Sequence, residues 1–177
     1  MALFVVAGLL AAMAGVAYAT TASVTMTGGS LSVTPADVTL SGVTLDGTDK
    51  TSTSAYTANA WTAEDARGTG VGWNVTIDAT DFTSGGHTIN ISAADQKFKI
   101  AEANISVIAG NTAPTSSVAT LTDIPEAPAA ALKIVSAAVD AGMGEYNIPP
   151  NFSLMVPAET YAGTYTSTIT VSAVSAP

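Results

Sequence analysis

The chain has no cysteine, one histidine, and five basic residues against fourteen acidic ones. Each scarcity excludes something. Without cysteine, no disulfide and no thiolate metal site supports the fold. At 177 residues the chain can bury enough core to do without them. A net charge of −9 cannot supply the basic footprint that phosphate backbones require, which excludes nucleic acid as a main partner. The single histidine, His87, is the only candidate base for a nucleophilic triad, and nothing beside it in the sequence is an activated nucleophile. It follows Gly85-Gly86 and opens a strand pattern, so it is expected at a turn or strand edge. Charged residues of all kinds are only 11%, against roughly 25% in ordinary soluble domains.

Hydroxyls and small residues fill the space that charge leaves. Apolar content is 47% and mean hydropathy is +0.38, so the chain has the means to fold. A surface of Thr, Ser, Ala and Gly is hydrated by hydroxyls, which cost less to desolvate than ions. Such a surface suits packing against copies of itself, a wall or glycans.

Residues 1–19 read M-A-L-F-V-V-A-G-L-L-A-A-M-A-G-V-A-Y-A. The apolar run has the length of a signal peptide, and Ala17-Tyr18-Ala19 is a cleavage signal of the A-x-A kind. The expected alternative is a retained apolar helical segment, serving as a membrane anchor or a filament core. Residues 20–177 are expected to form a single all-β domain.

From Ala22 onward the dominant period is two. Leu31 and Val33 alternate with Ser and Thr, and Val38-Thr-Leu40 and Val43-Thr-Leu45 flank Gly42. Val71, Trp73, Val75 and Ile77 form the cleanest run. Ile89-Asn-Ile91, Phe98-Lys-Ile100, Ile105-Ser-Val107, Phe152-Ser-Leu154 and Ile169-Thr-Val171 repeat it. This is half-buried strand periodicity, punctuated by Gly28-Gly29, Asp46-Gly47, Gly85-Gly86 and Pro149-Pro150. Glu126 to Asp140 has helix-favouring alanines, but Leu132, Ile134 and Val135 fit a strand among strands. The pattern predicts an antiparallel β-sandwich or barrel of the Ig-like or Greek-key type, preceded by the N-terminal apolar helical segment.

Residue pairs that might carry chemistry are few. Asp78 and Asp81, Glu64 and Asp65, and Asp46 and Asp49 are carboxylate pairs beside turns, with no twelve-residue calcium loop around them. They read as turn formers and solvent contacts. No cofactor or metal site is expected. Among the aromatics, Trp73 shares parity with Val71, Val75 and Ile77 and is expected in the core. Trp61 sits in A-N-A-W-T-A, outside any apolar strand, and is the better candidate for an exposed contact. Asn74, Asn90, Asn104 and Asn151 each open an Asn-x-Ser/Thr sequon on or beside a strand, where a polar face offers room for a glycan. Ser23, Val24, Thr25 and Met26 form a short alternating strand before the Gly pair, with no lysine until Lys50 to discourage edge pairing. They are expected to form an inter-subunit strand.

Two longer phrases stand about ninety residues apart. The first runs E-D-A-R-G-T-G-V-G-W-N-V-T-I-D-A-T-D-F from Glu64 to Phe82. The second is L-M-V-P-A-E-T-Y-A-G-T-Y-T-S-T-I-T-V-S-A-V-S-A-P from Leu154 to Pro177, preceded by Gly142-Met143-Gly144. Together they resemble the WxL family of bacterial cell-surface domains. The resemblance implies a secreted all-β domain associated with the cell wall, with the W-x-L phrases implicated in peptidoglycan binding. Here the first phrase is Trp73-Asn74-Val75, and the second family tryptophan is missing, since the closing strand reads Thr168-Ile169-Thr170-Val171. Among the motif positions only Trp73 can inherit the family role. Trp73, Trp61 and Tyr165 are the candidate contacts with a wall polymer or partner protein.

These features lead to a non-catalytic structural or adhesive protein, extracellular at a cell surface or wall. Its expected partner is a cell-wall polymer or a surface protein. A second reading makes it a self-assembling subunit of an extracellular filament or pilus, joined by N-terminal strand exchange between copies.

Overall fold

The computed structural model describes residues 18–54, 61–92 and 95–175. The segment expected to be helical, residues 1–19, lies outside these apart from Tyr18 and Ala19, which belong to no regular element. Among the described residues there is no helix. The strands are β1 (Leu31–Thr34), β2 (Lys50–Thr53), β3 (Thr62–Asp65), β4 (Trp73–Ala79), β5 (Phe82–Ser84), β6 (His87–Ile89) and β7 (Phe98–Ala101). They continue with β8 (Ser106–Gly110), β9 (Thr115–Ser116), β10 (Thr122–Asp123), β11 (Leu132–Ala137), β12 (Gly144–Asn147), β13 (Asn151–Val156) and β14 (Ile169–Val174).

The strands form three four-stranded sheets and one hairpin, in the orders β1-β3-β12-β8, β10-β7-β13-β2, β14-β4-β11-β9 and β5-β6. All pairings between these strands are antiparallel. Each four-stranded sheet keeps two ends, so the layers enclose a common core without closing into a barrel. That settles the sandwich-or-barrel expectation in favour of open, packed sheets.

Strand β4 shows how the sequence sets the fold. Its residues alternate buried and half-buried along W-N-V-T-I-D-A, with Trp73, Val75, Ile77 and Ala79 all fully enclosed. Period-two patterning on a central strand gives this result, because successive side chains leave opposite faces. β11 breaks the rule. Its register against β4 shifts between Lys133 and Val135, so the neighbours Ile134 and Val135 are both buried. A β-bulge inserts the extra residue that makes this geometry. The β5–β6 hairpin turns through Gly85 and Gly86, both at positive φ (54° and 87°), with Ser84 opposite His87. Two-residue hairpin loops of this twist need positive φ at both positions, which glycine adopts without strain.

Aromatic rings join the sheets. Trp73 of β4 lies 6.3 Å from Tyr146 of β12. Trp61, just before β3, lies 5.7 Å from Phe152 of β13. Phe152 stacks on Phe98 of β7 at 5.5 Å, and Phe98 meets Phe82 of β5 edge-on at 4.9 Å. Edge-to-face and offset contacts at such distances add to the burial of the rings themselves.

At the N-terminal end, Ser23 to Met26 form no strand within this chain, and residues 18–30 are exposed throughout. The Gly28-Gly29 pair is held against the end of β3. Gly29 N–H donates to the Ala66 carbonyl at 2.8 Å, and a Cβ at Gly28 would sit 2.3 Å from the Arg67 carbonyl oxygen. Glycine is present there so that one backbone can press on another.

Candidate functional site

The first family-like phrase builds a clamp. Asp65 ends β3 with its side chain enclosed, and Arg67 folds back on it with Nε 2.8 Å from Oδ1 and Nη2 2.9 Å from Oδ2. This is the bidentate geometry that matches a guanidinium to a carboxylate. The same guanidinium donates to the Gly72 carbonyl (2.9 Å) and to Ser175 Oγ (2.6 Å). Hydrogen bonding from Arg67 holds the Asp65 carboxyl below its usual range, against the opposing effect of burial. One side chain thus ties the end of β3, the approach to β4 and the segment just after β14.

Trp73 completes this end of the molecule from inside. Its indole N–H donates to the Gly142 carbonyl at 2.8 Å. Gly142 has φ +70°, and a Cβ there would lie 2.4 Å from Ala137 Cβ and 2.8 Å from Trp73 Nε1, so only glycine fits. Tyr146 donates to the Met143 carbonyl (2.9 Å), and Asn111 brackets the same loop through Asp140 and Met143. Burial of the Tyr146 phenol pushes its pKa up. The W-N-V phrase, Gly142 and Tyr146 therefore work as core and closure. Trp73 is fully buried, as its strand parity predicts, and it has no surface with which to touch a polymer.

Trp61 corrects an expectation. It is 1% exposed, with its indole N–H donating to the Ala36 carbonyl (3.0 Å) and its ring against Phe152. The absence of an apolar run around it misled, because its cover comes from the distant segment at Ala36. Of the three aromatic candidates, only Tyr165 reaches the surface, half-buried.

Tyr165 lines a groove of about 650 Å³. One wall is Leu40 to Leu45, which form no strand despite their alternation. This wall is held over β2: Ser41 N–H donates to the Thr53 carbonyl (2.9 Å), and Ser52 Oγ donates to the Ser41 carbonyl. The other wall is Thr160 to Tyr165, placed by paired backbone hydrogen bonds between Thr83 and Thr166 (2.9 and 3.1 Å) and by the Tyr165 hydroxyl donating to the Tyr161 carbonyl (3.2 Å). The floor is Phe82, Ile89, Leu154 and Val156. These are 4–7% exposed, whereas every other buried apolar residue is at 3% or less. The groove is thus the place where the hydrophobic core comes to the surface.

At one end it continues into a smaller recess of about 250 Å³ that adds His87, Asn90, Lys97 and Glu159. His87 opens β6, as its position after the Gly pair predicts. Its ring stacks on Tyr161 at 3.8 Å and 11°, and the tyrosine is 64% exposed. The histidine is therefore engaged with an aromatic face. No charged residue lines the main groove. Apolar floor, aromatic rims and hydroxyls from Ser41, Thr44, Thr160 and Thr164 make it a place for an uncharged, amphipathic ligand.

Of the carboxylates named from sequence, Asp46, Asp49, Asp65 and Asp81 hold structural hydrogen bonds, whereas Asp78 Oδ1 is enclosed without a partner. Asp81 Oδ1 accepts the Ile91 N–H (2.8 Å), and Asp49 Oδ1 accepts the Ala158 N–H (2.9 Å). Asp46 accepts from Lys50 Nζ at 2.6 Å and from Thr48, and these bonds, Lys50 first, bring its pKa to about 2. Of the sequon asparagines, Asn90 and Asn104 stand exposed. Asn74 and Asn151 are half-buried with an enclosed Oδ1. Nothing in the sequence marks Tyr161, His87 and the Leu40–Leu45 wall as one site. Residues far apart in the chain make it, and only the apolar character of Val38 to Leu45 hinted at a cover over the core.

Residues 20–177 match the model of one protein family, described as WxL domain surface cell wall-binding. Comparison with curated proteins and with solved structures finds no match.

Proposed function

The chain belongs to the WxL family of surface, cell wall-binding domains, and from this we propose that it holds a cell-wall polymer in the groove between Leu40–Leu45 and Thr160–Tyr165. Membership itself places the protein at the cell surface or wall, in a binding role. The finer reading concerns where the polymer lies and what part of it is gripped.

The observation that carries it is the exposed Tyr161 ring, stacked on His87 at the mouth of a groove with an uncharged lining. The face of a tyrosine ring is electron-rich and attracts polarised C–H groups. A sugar ring offers such a C–H face, with hydroxyls around its rim for Ser and Thr to meet. An uncharged glycan stretch fits this groove better than an anionic one, because the protein carries −9 overall. The tryptophan phrase supports the site indirectly, by fixing the sheets that carry the walls.

The test is sedimentation with purified cell walls. Tyr161→Ala with Tyr165→Ala should lower the bound fraction by about tenfold or more, the loss of one to two stacking contacts, with the fold retained and melting only a little earlier, since Tyr165 packs on the core. Trp73→Ala should instead cost about 3–5 kcal/mol of stability, as large aromatic truncations in cores do. Wild-type wall binding by the double tyrosine variant would sink the groove assignment.

A further inference from the structure

We propose that the segment Ser23–Met26 of one copy adds as a strand to the outer edge of β8 in a second copy, joining chains head to tail. The inference rests on two surfaces away from the groove and stands apart from the wall-binding reading.

The donor is exposed, uncharged and outside any strand of its own chain. Val24 is 78% exposed and Met26 86%. They lie on one parity, with Ser23, Thr25 and Thr27 on the other, which is the pattern of a strand with one apolar face. No charged residue occurs from Thr20 to Ala36.

The acceptor follows from elimination among the sheet ends. β1 and β14 lie against each other. β2 is covered by Ser41, which bonds to Thr53. β9 and β10 are two residues each. The β5–β6 hairpin has three residues per strand, and β5 is bridged to Thr166. That leaves β8, five residues long and exposed at every one of them. Among the described residues its backbone pairs only with β12. Val107 is 47% exposed and Ile108 53%. The register against β12 passes from Ala109 to Val107, so Ile108 is the extra residue of a β-bulge, and both apolar neighbours stand at the surface. No charged side chain lies between Glu102 and Asp123. Exposed edges are normally blunted by lysine, proline or a covering loop, because unpaired N–H and C=O groups template another strand. β8 has none of these three; its one irregularity is the bulge at Ile108.

The donor cannot reach its own β8. Sheet order puts β1 and β8 at opposite ends, three strand spacings or about 14 Å apart. The chain is held at Gly29 by Ala66. From Gly29 to Ser23 an extended chain spans at most about 20 Å, which only matches the four strand spacings, about 19 Å, to a position outside β8, so the crossing would consume the segment before it paired. A second copy has no such limit. Because donor and acceptor are different surfaces, the contact repeats from one copy to the next.

The full chain is followed by sedimentation velocity and negative-stain microscopy over a wide range of concentration. Species larger than the monomer are expected to grow with concentration. Deleting Thr20 to Thr27, or Val24→Asp with Met26→Asp, should remove them all, as should Ile108→Lys at the acceptor. Each variant should melt like the parent, since the altered side chains are exposed; Val107→Lys replaces Ile108→Lys should the latter melt early. Mixing the donor-defective and acceptor-defective variants should give a dimer and nothing larger, because only one working contact remains. A parent chain that stays monomeric, assembly that survives Ile108→Lys or its Val107→Lys replacement, or a mixture that gives no dimer would each overturn the proposal.

Discussion

Glu102 sets the terms at the level of single residues. Two acidic residues are buried among those described, Asp65 and Glu102. Asp65 has Arg67. Glu102 has the Asn104 N–H on Oε1 (3.1 Å), while Oε2 is enclosed without a partner. Burial raises its pKa from 4.5 to about 8, with the Asn104 bond opposing weakly. A carboxyl in that setting is protonated at neutral pH. The linkage has a definite sign. A folded pKa above the unfolded one gives stability that is complete below about pH 4.5 and is lost as pH rises through about 8. Stability should therefore decline from pH 5 to 8, opposite to ordinary acid denaturation. Glu102→Gln keeps the acceptor for Asn104 and removes the titration. The variant should match the parent at pH 4 and exceed it at pH 8, by up to roughly 4 kcal/mol. Chemical denaturation at both pH values checks this, and equal stabilities at pH 8 would show that Glu102 ionises freely.

Among elements, the Arg67 clamp is the joint to test. It links β3, the approach to β4 and the segment after β14. Arg67→Ala leaves the Asp65 carboxylate enclosed without its cation, which should cost about 3–5 kcal/mol, as breaking one side of a buried pair does. Amide exchange should quicken in β14 before β11, because β14 loses its tie at Ser175 while β11 stays paired on both sides. Adding Asp65→Asn should recover part of the loss; a double variant that falls further would mean the pair is not the coupled unit. The strands themselves were legible where a bulky alternating run crosses the core, as in β4, β7, β13 and β14. β2, β3 and β12 were not, since K-T-S-T, T-A-E-D and G-E-Y-N carry their signal in distant partners rather than in their own residues. The reverse error fell at Val38 to Leu45, where strand-like alternation serves a covering loop. The groove was hidden for the same reason. Tyr165 was visible as an aromatic, but its partners Tyr161, His87 and Leu40 meet only once sheet order is known.

For the whole molecule, low charge is the property that ties surface to function. With 11% charged residues and a net −9, ion pairs have little part in any contact it makes. Screening grows steeply with salt, the Debye length falling from about 10 Å at 0.1 M to about 3 Å at 1 M. A groove lined by hydroxyls and rings loses nothing when charges are screened, and repulsion between the acidic protein and any anionic wall component diminishes. Binding to purified walls should hold steady or strengthen as salt is raised. Two of the five cations, Lys97 and Lys99, line a second recess beside Thr51 and Met155, near Asp95 and Asp123, and Lys97 also borders the small recess at the end of the groove. If binding instead falls by about tenfold across that salt range, the lysine recess rather than the tyrosine groove holds the polymer. Lys97→Gln with Lys99→Gln would then be the damaging pair and Tyr161→Ala the neutral one.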